Sequence, residues 1–354
     1  MILPGNVRSA LVSAALAGGA VLFAAGPHAP AAAAEVNVYS SRHYKADQAL
    51  YDSFTRETGI KVNIIQGNVN ALFERLKREG RNSPADVLIT VDAGNLGRAE
   101  DAGLFRPMTS ELAKKVVPAS MRQPDGLWVG LTMRARVIMY HKDRVKPSEL
   151  STYEALADPK WKGRILVRSS NNIYNQSLVA SLIAAHGKDK ALEWSKAIVA
   201  NMARTPKGGD RDQIRAVGAG EGDIAISNTY YFGWLTASEE SKDKELVSKI
   251  GVFFPNQDGP NQDGRGTHVN ISGAGIARHA KNEENALRLI EFLLGKGSQK
   301  AFADANFEYP VRADVAPSAI VASWGKFKAD PLNVATLGRY NADAVRMMDL
   351  AGWR

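Results

Sequence analysis

The stretch that decides the fold reads EVNVYSSRHYKADQALYDSFTRETGIKVNIIQ, residues 35–66. Residues 36–40 have the apolar pattern of a short strand, and Ala46, Leu50 and Phe54 follow at the four-residue spacing of one helix face. Gly59 is placed to end that helix, and residues 60–65 predict a second strand. A strand, a helix and a strand in close succession predict parallel strands joined by a crossover helix.

The same alternation continues along the chain and predicts an α/β fold. Further strands are expected at 85–90, 164–168, 223–227, 252–254 and 267–276. Helices are expected from 69 to 80, at 173–186, at about 189–202, after Asp210, and as one long helix from 282 to about 304. Residues 128–141 predict an extended segment long enough to pass from one lobe to another. A chain of 354 residues exceeds the size of a single core, so we expect two domains.

The first 34 residues have the layout of a cleaved secretory signal. Arg8 is followed by an apolar run over residues 10–25 and by the small residues 31–34. That run is shorter than the roughly 20 residues of a membrane span. We therefore expect cleavage after Ala34 and a protein that works outside the cytoplasm.

Composition excludes several classes of protein. The chain contains no cysteine, which excludes a lipid-attachment cysteine, disulfides and thiolate metal ligands. The formal net charge is +8, but the basic residues are scattered and the expected location is extracytoplasmic. We therefore predict no nucleic-acid partner, and a monomer that is not tethered to a membrane.

Tyrosines follow three of the predicted strands. His43 and Tyr44 come after the first strand, Tyr174 follows the strand that ends near residue 168, and Tyr230 and Tyr231 follow the strand that ends near residue 227. The carboxyl ends of strands in an α/β sheet are where ligand-binding loops lie, so these side chains are candidates for one cleft. We interpret the other tyrosines as structural: Tyr39, Tyr51, Tyr140, Tyr153, Tyr309 and Tyr340.

Paired phenols at a helix start suit a hard metal ion. Adjacent residues in the first turn of a helix point only about 100° apart, so Tyr230 and Tyr231 can reach one ion. A phenol has an ordinary pKa of about 10, and a trivalent cation such as Fe(III) would be needed to bind it as phenolate at neutral pH. Four phenolates around Fe(III) leave a negative site that a guanidinium could offset. The candidates are Arg42, Arg134 and Arg136, of which the last two lie in the inter-lobe stretch. The residues alone predict a secreted two-lobed binding protein with a tyrosine-rich site.

Five segments resemble the bacterial ferric-ion-binding proteins, also called bacterial transferrins. The segments are VYSSRHY at 38–44, ADVLITVDAG at 85–94, RARVIMY at 134–140, SNTYY at 227–231 and GTHVNISG at 266–273. The likeness covers essentially the whole chain after the signal. Other members of that family place a glutamate after the third strand, where this chain has Val91, so it is similar to the tyrosine-rich subgroup instead.

The resemblance implies a two-lobed periplasmic-binding fold of type II, with the ligand cleft between lobes joined by extended hinge segments. It implies one lobe from residues 35–135 and 262–314 and the other from 136–261 and 315–354. It also implies a periplasmic protein, not an enzyme, that binds Fe(III) or a ferric chelate and passes iron to an ABC transporter permease. The implied metal ligands are His43, Tyr44, Tyr174, Tyr230 and Tyr231.

Two other functions are consistent with parts of this pattern. A protein of the same fold could bind a small organic or oxyanion solute such as thiamine, a polyamine or sulfate, but a polyamine site would need acidic residues where this chain carries tyrosine and histidine. A secreted metal-dependent hydrolase would need a ligand set with an open position and a general base beside it. The sequence has no His-Glu helix motif and no serine elbow to support the latter.

Overall fold

A long central strand connects two halves of one mixed sheet. The computed structural model describes Met1, residues 34–42 and residues 44–354. Residues 2–33, which contain nearly all of the predicted signal sequence, and the predicted ligand His43 lie outside the described residues. The strands of the described part are β1 (Glu35–Ser40), β2 (Lys61–Gln66), β3 (Val87–Val91), β4 (Phe105–Arg106), β5 (Val129–His141), β6 (Ile165–Leu166), β7 (Ile224–Asn228), β8 (Ile250–Phe253), β9 (Val269–Ala277) and β10 (Tyr309–Pro310).

Helices flank the sheet and fill the connections between strands. They are α1 (Lys45–Thr58), α2 (Val69–Glu79), α3 (Ala93–Asp101), α4 (Glu111–Val116), α5 (Ile173–His186), α6 (Lys188–Asn201), α7 (Asp210–Gly218), α8 (Thr229–Thr236), α9 (Ser241–Lys249), α10 (Glu283–Leu293), α11 (Lys296–Asn306), α12 (Ala319–Ala322), α13 (Ala335–Arg339) and α14 (Asn341–Leu350). The predicted bounds of α5 are confirmed. Gly59 ends α1 in the left-handed conformation, with φ of 72°, which glycine adopts at little cost.

The parallel pairing predicted for β1 and β2 is confirmed, and β1 with β3 and β6 with β7 are parallel as well. The sheet as a whole is mixed, because β5 and β9 pair with each other and with their other neighbours in antiparallel fashion. One expectation from the sequence is wrong. The single helix expected over 282–304 is two helices. Gly295 has extended backbone angles, φ −64° and ψ 153°, which ends the run of helical hydrogen bonds between α10 and α11.

Strand β5 changes partners along its length. Its first half, up to Ala135, pairs with β9, and the second half, from Arg136 to Tyr140, pairs with β7. The strand order is β2-β1-β3-β9-β5-β7-β6. The residues at the changeover therefore lie between the two halves of the sheet, and Arg134 and Arg136 flank this point.

Helices α3, α5 and α13 pack closely beside the sheet. A Cβ placed on Gly97 of α3 would lie 2.6 Å from the Cα of Gly338 in α13, so the two backbones touch where only glycine fits. Large apolar side chains such as Trp128, Trp161 and Trp353 are buried in the core. Over the described residues, no helix has the length and apolar character of a membrane span.

Candidate metal centre

Four tyrosines from three helix starts come together beside β5. Tyr44 is the residue before α1, Tyr174 lies in the first turn of α5, and Tyr230 and Tyr231 lie in the first turn of α8. The Asn172 side chain accepts a hydrogen bond from the backbone N–H of Tyr174 and caps α5. Helix starts carry partial positive charge and favour a phenolate.

The rings contact one another. The Tyr230 hydroxyl donates a hydrogen bond to the Tyr174 hydroxyl at 3.2 Å. The Tyr230 ring lies 4.2 Å from the Tyr231 ring and 6.4 Å from the Tyr44 ring, between centroids, with the last pair edge to face. Tyr230 thus contacts all three other phenols and is the centre of the cluster.

Three of the four phenols have raised pKa values. Burial raises the pKa of Tyr44, Tyr230 and Tyr231 above the ordinary value of 10, and the negative charge that a neighbouring phenolate or carboxylate would carry raises it further. A bound cation would reverse this balance, because it stabilises the phenolate directly. These three phenols are therefore neutral at pH 7 until a strongly charged cation displaces their protons.

Arg134 is the buried cation that faces the cluster. Its guanidinium is 1% exposed and donates one side-chain hydrogen bond, to Ser272 Oγ at 3.2 Å. Its Nε and Nη1 atoms have no hydrogen-bond partner within the described residues. Its charge lowers the pKa of Tyr44 and of Tyr230, against the larger effect of burial. It can therefore offset the charge of the phenolates and donate hydrogen bonds to an occupied site.

Arg136 holds the helices that carry the tyrosines. Its guanidinium donates to Asp210, to Asn228 and to Asn175, at 3.2, 3.0 and 2.5 Å. Its charge lies 6.0 Å from the centre of the Tyr174 ring. Since Asn175 follows Tyr174 and Asn228 precedes α8, Arg136 fixes the starts of α5 and α8 relative to β5.

Arg42 supports Tyr44 from within a buried ion pair. Both oxygens of Asp47 accept from Arg42, at 2.8 and 3.2 Å, and Glu308 accepts a third bond at 3.1 Å. The guanidinium carbon lies 4.7 Å from the centroid of the Tyr44 ring, a distance typical of a cation–π contact.

Several residues at the site were not expected from the sequence. Glu308 and Asp47 complete the ion pair with Arg42, and Arg168 and Arg211 lie over the rings of Tyr174 and Tyr231, at 5.5 and 5.9 Å. Glu308 is 266 residues from Arg42 along the chain, so no local pattern marks it. Arg211 follows Asp210 at the start of α7. The helix start predicted after Asp210 was the sequence signal that could have pointed to it. Across the residues that the structure covers, no group of three or more His, Cys, Asp or Glu side chains could hold a metal.

Comparison with known proteins identifies a family and relatives that agree with one another. The family of bacterial extracellular solute-binding proteins matches residues 49–329. Iron uptake protein A1 of Synechocystis is 54% identical over 320 residues, which is 90% of this chain and 88% of that protein. That likeness extends over both halves of the sheet.

Solved structures agree with these relatives. A Trichodesmium protein, IdiA (FutA), in complex with iron and citrate ligands, superposes with a TM-score of 0.86 at 52% identity, covering 90% of this chain and all of that one. The ferric binding protein from Campylobacter jejuni gives a TM-score of 0.84 at 42% identity, again over 90% of this chain and all of that one. These likenesses confirm the predicted periplasmic-binding-protein fold.

Proposed function

Since this chain belongs to the family of bacterial extracellular solute-binding proteins, we propose that it captures ferric iron in the periplasm and delivers it to an ABC transporter. The observation that carries the proposal is the convergence of four phenols, with the Tyr230 hydroxyl 3.2 Å from the Tyr174 hydroxyl. Phenolate oxygen is a hard ligand that suits Fe(III). The relatives named for iron uptake and ferric binding support the same substrate.

The proposed ligands are Tyr44, Tyr174, Tyr230 and Tyr231, with His43 as the fifth. Each phenol gives up its proton to the solvent when the metal binds, and Arg134 offsets the resulting negative charge. Arg42 and Arg136 act from behind the ligands, Arg42 on Tyr44 and Arg136 on the starts of α5 and α8. The substrate is the ferric ion itself or a ferric chelate whose chelator leaves as the phenols bind.

The proposed mechanism is closure of two lobes around the ion. Residues 35–135 with 262–314 form one lobe and contribute Tyr44, while 136–261 with 315–354 form the other and contribute the remaining three phenols. Strand β5 crosses between the lobes at Ala135 and Arg136, where it changes partners. Ligands from both lobes meet on one ion only in the closed state, so iron affinity and closure are linked.

Delivery depends on the permease that receives the closed protein. The chain is proposed to act as a periplasmic monomer after removal of residues 1–34, and to carry out no catalysis. Protonation of the phenolates, or reduction to Fe(II), would weaken the complex and allow release to the permease. A same-fold protein for an organic or oxyanion solute is less well supported, because the relatives of 40% identity and more are named for iron uptake or ferric binding.

The visible spectrum tests the proposed function. The purified protein without residues 1–34 is recorded before and after addition of ferric citrate, and the expected result is an orange-red tyrosinate-to-iron charge-transfer band. Replacing Tyr230 and Tyr231 together by Phe should abolish the band, whereas Tyr340→Phe should leave it unchanged. No band in the iron-loaded wild type would reject the ferric site.

A further inference from the structure

A buried network of four charged side chains lies beside the tyrosine cluster. Arg42, Asp47, Arg134 and Glu308 are between 0 and 3% exposed, so water screens their charges little. Two of the side chains are basic and two are acidic, and the charges of the network cancel. Removing any one charge therefore leaves a net field at the neighbouring phenols.

Glu308 is placed differently from Asp47 within this network. Asp47 uses both oxygens on Arg42, and its Oδ1 also accepts from Asn306 at 3.1 Å. Glu308 uses only Oε2 on Arg42, and Oε1 has no hydrogen-bond partner among the residues described. The Glu308 side chain is fully buried, yet half of its carboxylate is not engaged in the ion pair.

The Glu308 carboxylate lies one side chain away from Tyr44, because its Oε2 accepts from Arg42 at 3.1 Å and the guanidinium carbon of Arg42 is 4.7 Å from the centroid of the Tyr44 ring. Burial raises the pKa of Tyr44 most, and the Glu308 charge has the next largest raising effect. Burial lowers the pKa of Arg134, and among the charged groups that raise it Glu308 has the largest effect. Burial raises the pKa of Tyr51, which lies outside the cluster, and the Asp47 charge raises it further. Of the two acids that share Arg42, Glu308 is thus the one whose charge bears most on Tyr44.

We propose that Glu308 is a specificity-determining residue that makes the tyrosine site favour Fe(III) over Fe(II). This inference rests on the proposed function. For any fixed set of ligands the ferrous complex carries one more negative charge than the ferric complex. A fixed carboxylate nearby raises the free energy of the more negative complex, and the sign of this effect is the same whether three or four phenolates bind. Arg42 and Arg134 act in the opposite direction, and Glu308 limits how far they stabilise Fe(II).

The reduction potential of the bound iron measures this preference. The iron-loaded protein is titrated in a spectroelectrochemical cell with redox mediators, and the charge-transfer band reports the ferric fraction. Glu308→Gln removes the charge and keeps the size of the side chain, while Asp47 remains paired with Arg42. The expected result is a potential more positive by at least about 59 mV, which for one electron is a tenfold gain of Fe(II) over Fe(III).

Two matched variants separate charge from packing. Glu308→Asp keeps the charge, so its shift in reduction potential should be at most about a third of the shift that Glu308→Gln causes. Asp47→Asn removes a charge from the same arginine but leaves the Glu308 charge, which bears most on Tyr44, and its shift should be smaller than that of Glu308→Gln. If Glu308→Gln alone fails to fold, the reduction potential of Arg42→Gln is compared with that of the double variant that carries Arg42→Gln and Glu308→Gln. The double variant should again have the more positive potential.

The outcomes are distinct. A shift to more negative potential, no shift, or an equal shift in the Gln and Asp variants would overturn the role of Glu308 while the wild-type band still supports the ferric site. Loss of the band in the wild type would reject the proposed function and, with it, this inference. A larger shift for Asp47→Asn than for Glu308→Gln would assign the effect to the ion pair as a whole and overturn the specific role of Glu308.

Discussion

The hydroxyl of Tyr230 donates a 3.2 Å hydrogen bond to the hydroxyl of Tyr174, and this bond joins the start of α8 to the start of α5. Tyr230 also packs against Tyr231 and Tyr44. The four phenols therefore lie side by side in the structure, which is the arrangement that the proposed closure of two lobes around one ion requires.

Tyr231→Phe should weaken Fe(III) binding by more than about 100-fold, because it removes a ligand atom, and even changes behind the ligands cost 10- to 100-fold. The half-buried ring remains, so the thermal transition should move by only a few degrees. Competition with a ferric chelator measures the affinity, and Tyr340→Phe is the matched control. An affinity equal to that of the wild type would remove Tyr231 from the site.

The position of the tyrosines could be predicted from the sequence because each follows a predicted strand. Strand ends and helix starts are local features, which the apolar spacing and residues such as Asn172 reveal. Arg134 and Arg136 were also within reach, since both lie on the extended segment that became β5. Glu308 could not be found in this way, because its pairing with Arg42 depends on how distant parts of the chain come together.

Helix breaks and strand directions were harder to predict for a related reason. The apolar spacing runs on through Gly295, and a glycine inside a helical pattern is tolerated often enough that it does not by itself end the helix. Strand β9 runs antiparallel to β3 and β5, which are strands far from it along the chain. The local alternation of strands and helices does not fix the pairing of such distant segments.

Iron affinity should fall steeply as the pH falls. Burial raises the pKa of Tyr44, Tyr230 and Tyr231, so each of these phenols enters the complex by losing a proton that it holds at neutral pH. The apparent association constant should then drop by about tenfold per pH unit for each such phenol. Chelator competition between pH 8 and pH 6 measures the slope, after correction for the chelator's own protonation. A slope near zero would mean that phenolates are not the ligands.

Arg134→Gln should weaken Fe(III) binding by about tenfold, because the buried guanidinium offsets the negative charge of the occupied site. Ser272→Ala is the control, since it removes the hydroxyl that accepts from Arg134 Nη2 and leaves the charge in place. The control should stay within about threefold of the wild type. Equal losses in both variants would show that the hydrogen bond, and not the charge, is what the site requires.

His268 should make the protein less stable in mild acid. Burial and the nearby charges of Arg136, Arg265 and Arg134 lower the pKa of His268 from 6.5 to about 3. Between those values the unfolded chain binds a proton that the folded protein does not, so the free energy of unfolding falls as the pH falls below 6.5.

At pH 5 this contribution is on the order of 2 kcal/mol. In urea denaturation of the metal-free protein, His268→Gln should lose less stability than the wild type between pH 7 and pH 5. His279→Gln, a change at a half-exposed histidine, is the comparison. If the two variants respond identically to pH, His268 is not the group responsible.

Gly97→Ala should destabilise the fold through the contact between α3 and α13. The new methyl group would lie 2.6 Å from the Cα of Gly338, closer than carbon atoms approach, and the backbones must move apart. Such overpacking costs about 1 to 3 kcal/mol, whereas Gly297→Ala in α11, with nothing within 4 Å of the added carbon, should stabilise by up to about 1 kcal/mol. Urea denaturation of both variants measures the difference. Because α13 also packs on α5, which carries Tyr174, the Gly97 variant should bind iron more weakly than the Gly297 variant, and equal affinities would show that this contact does not position the ligand.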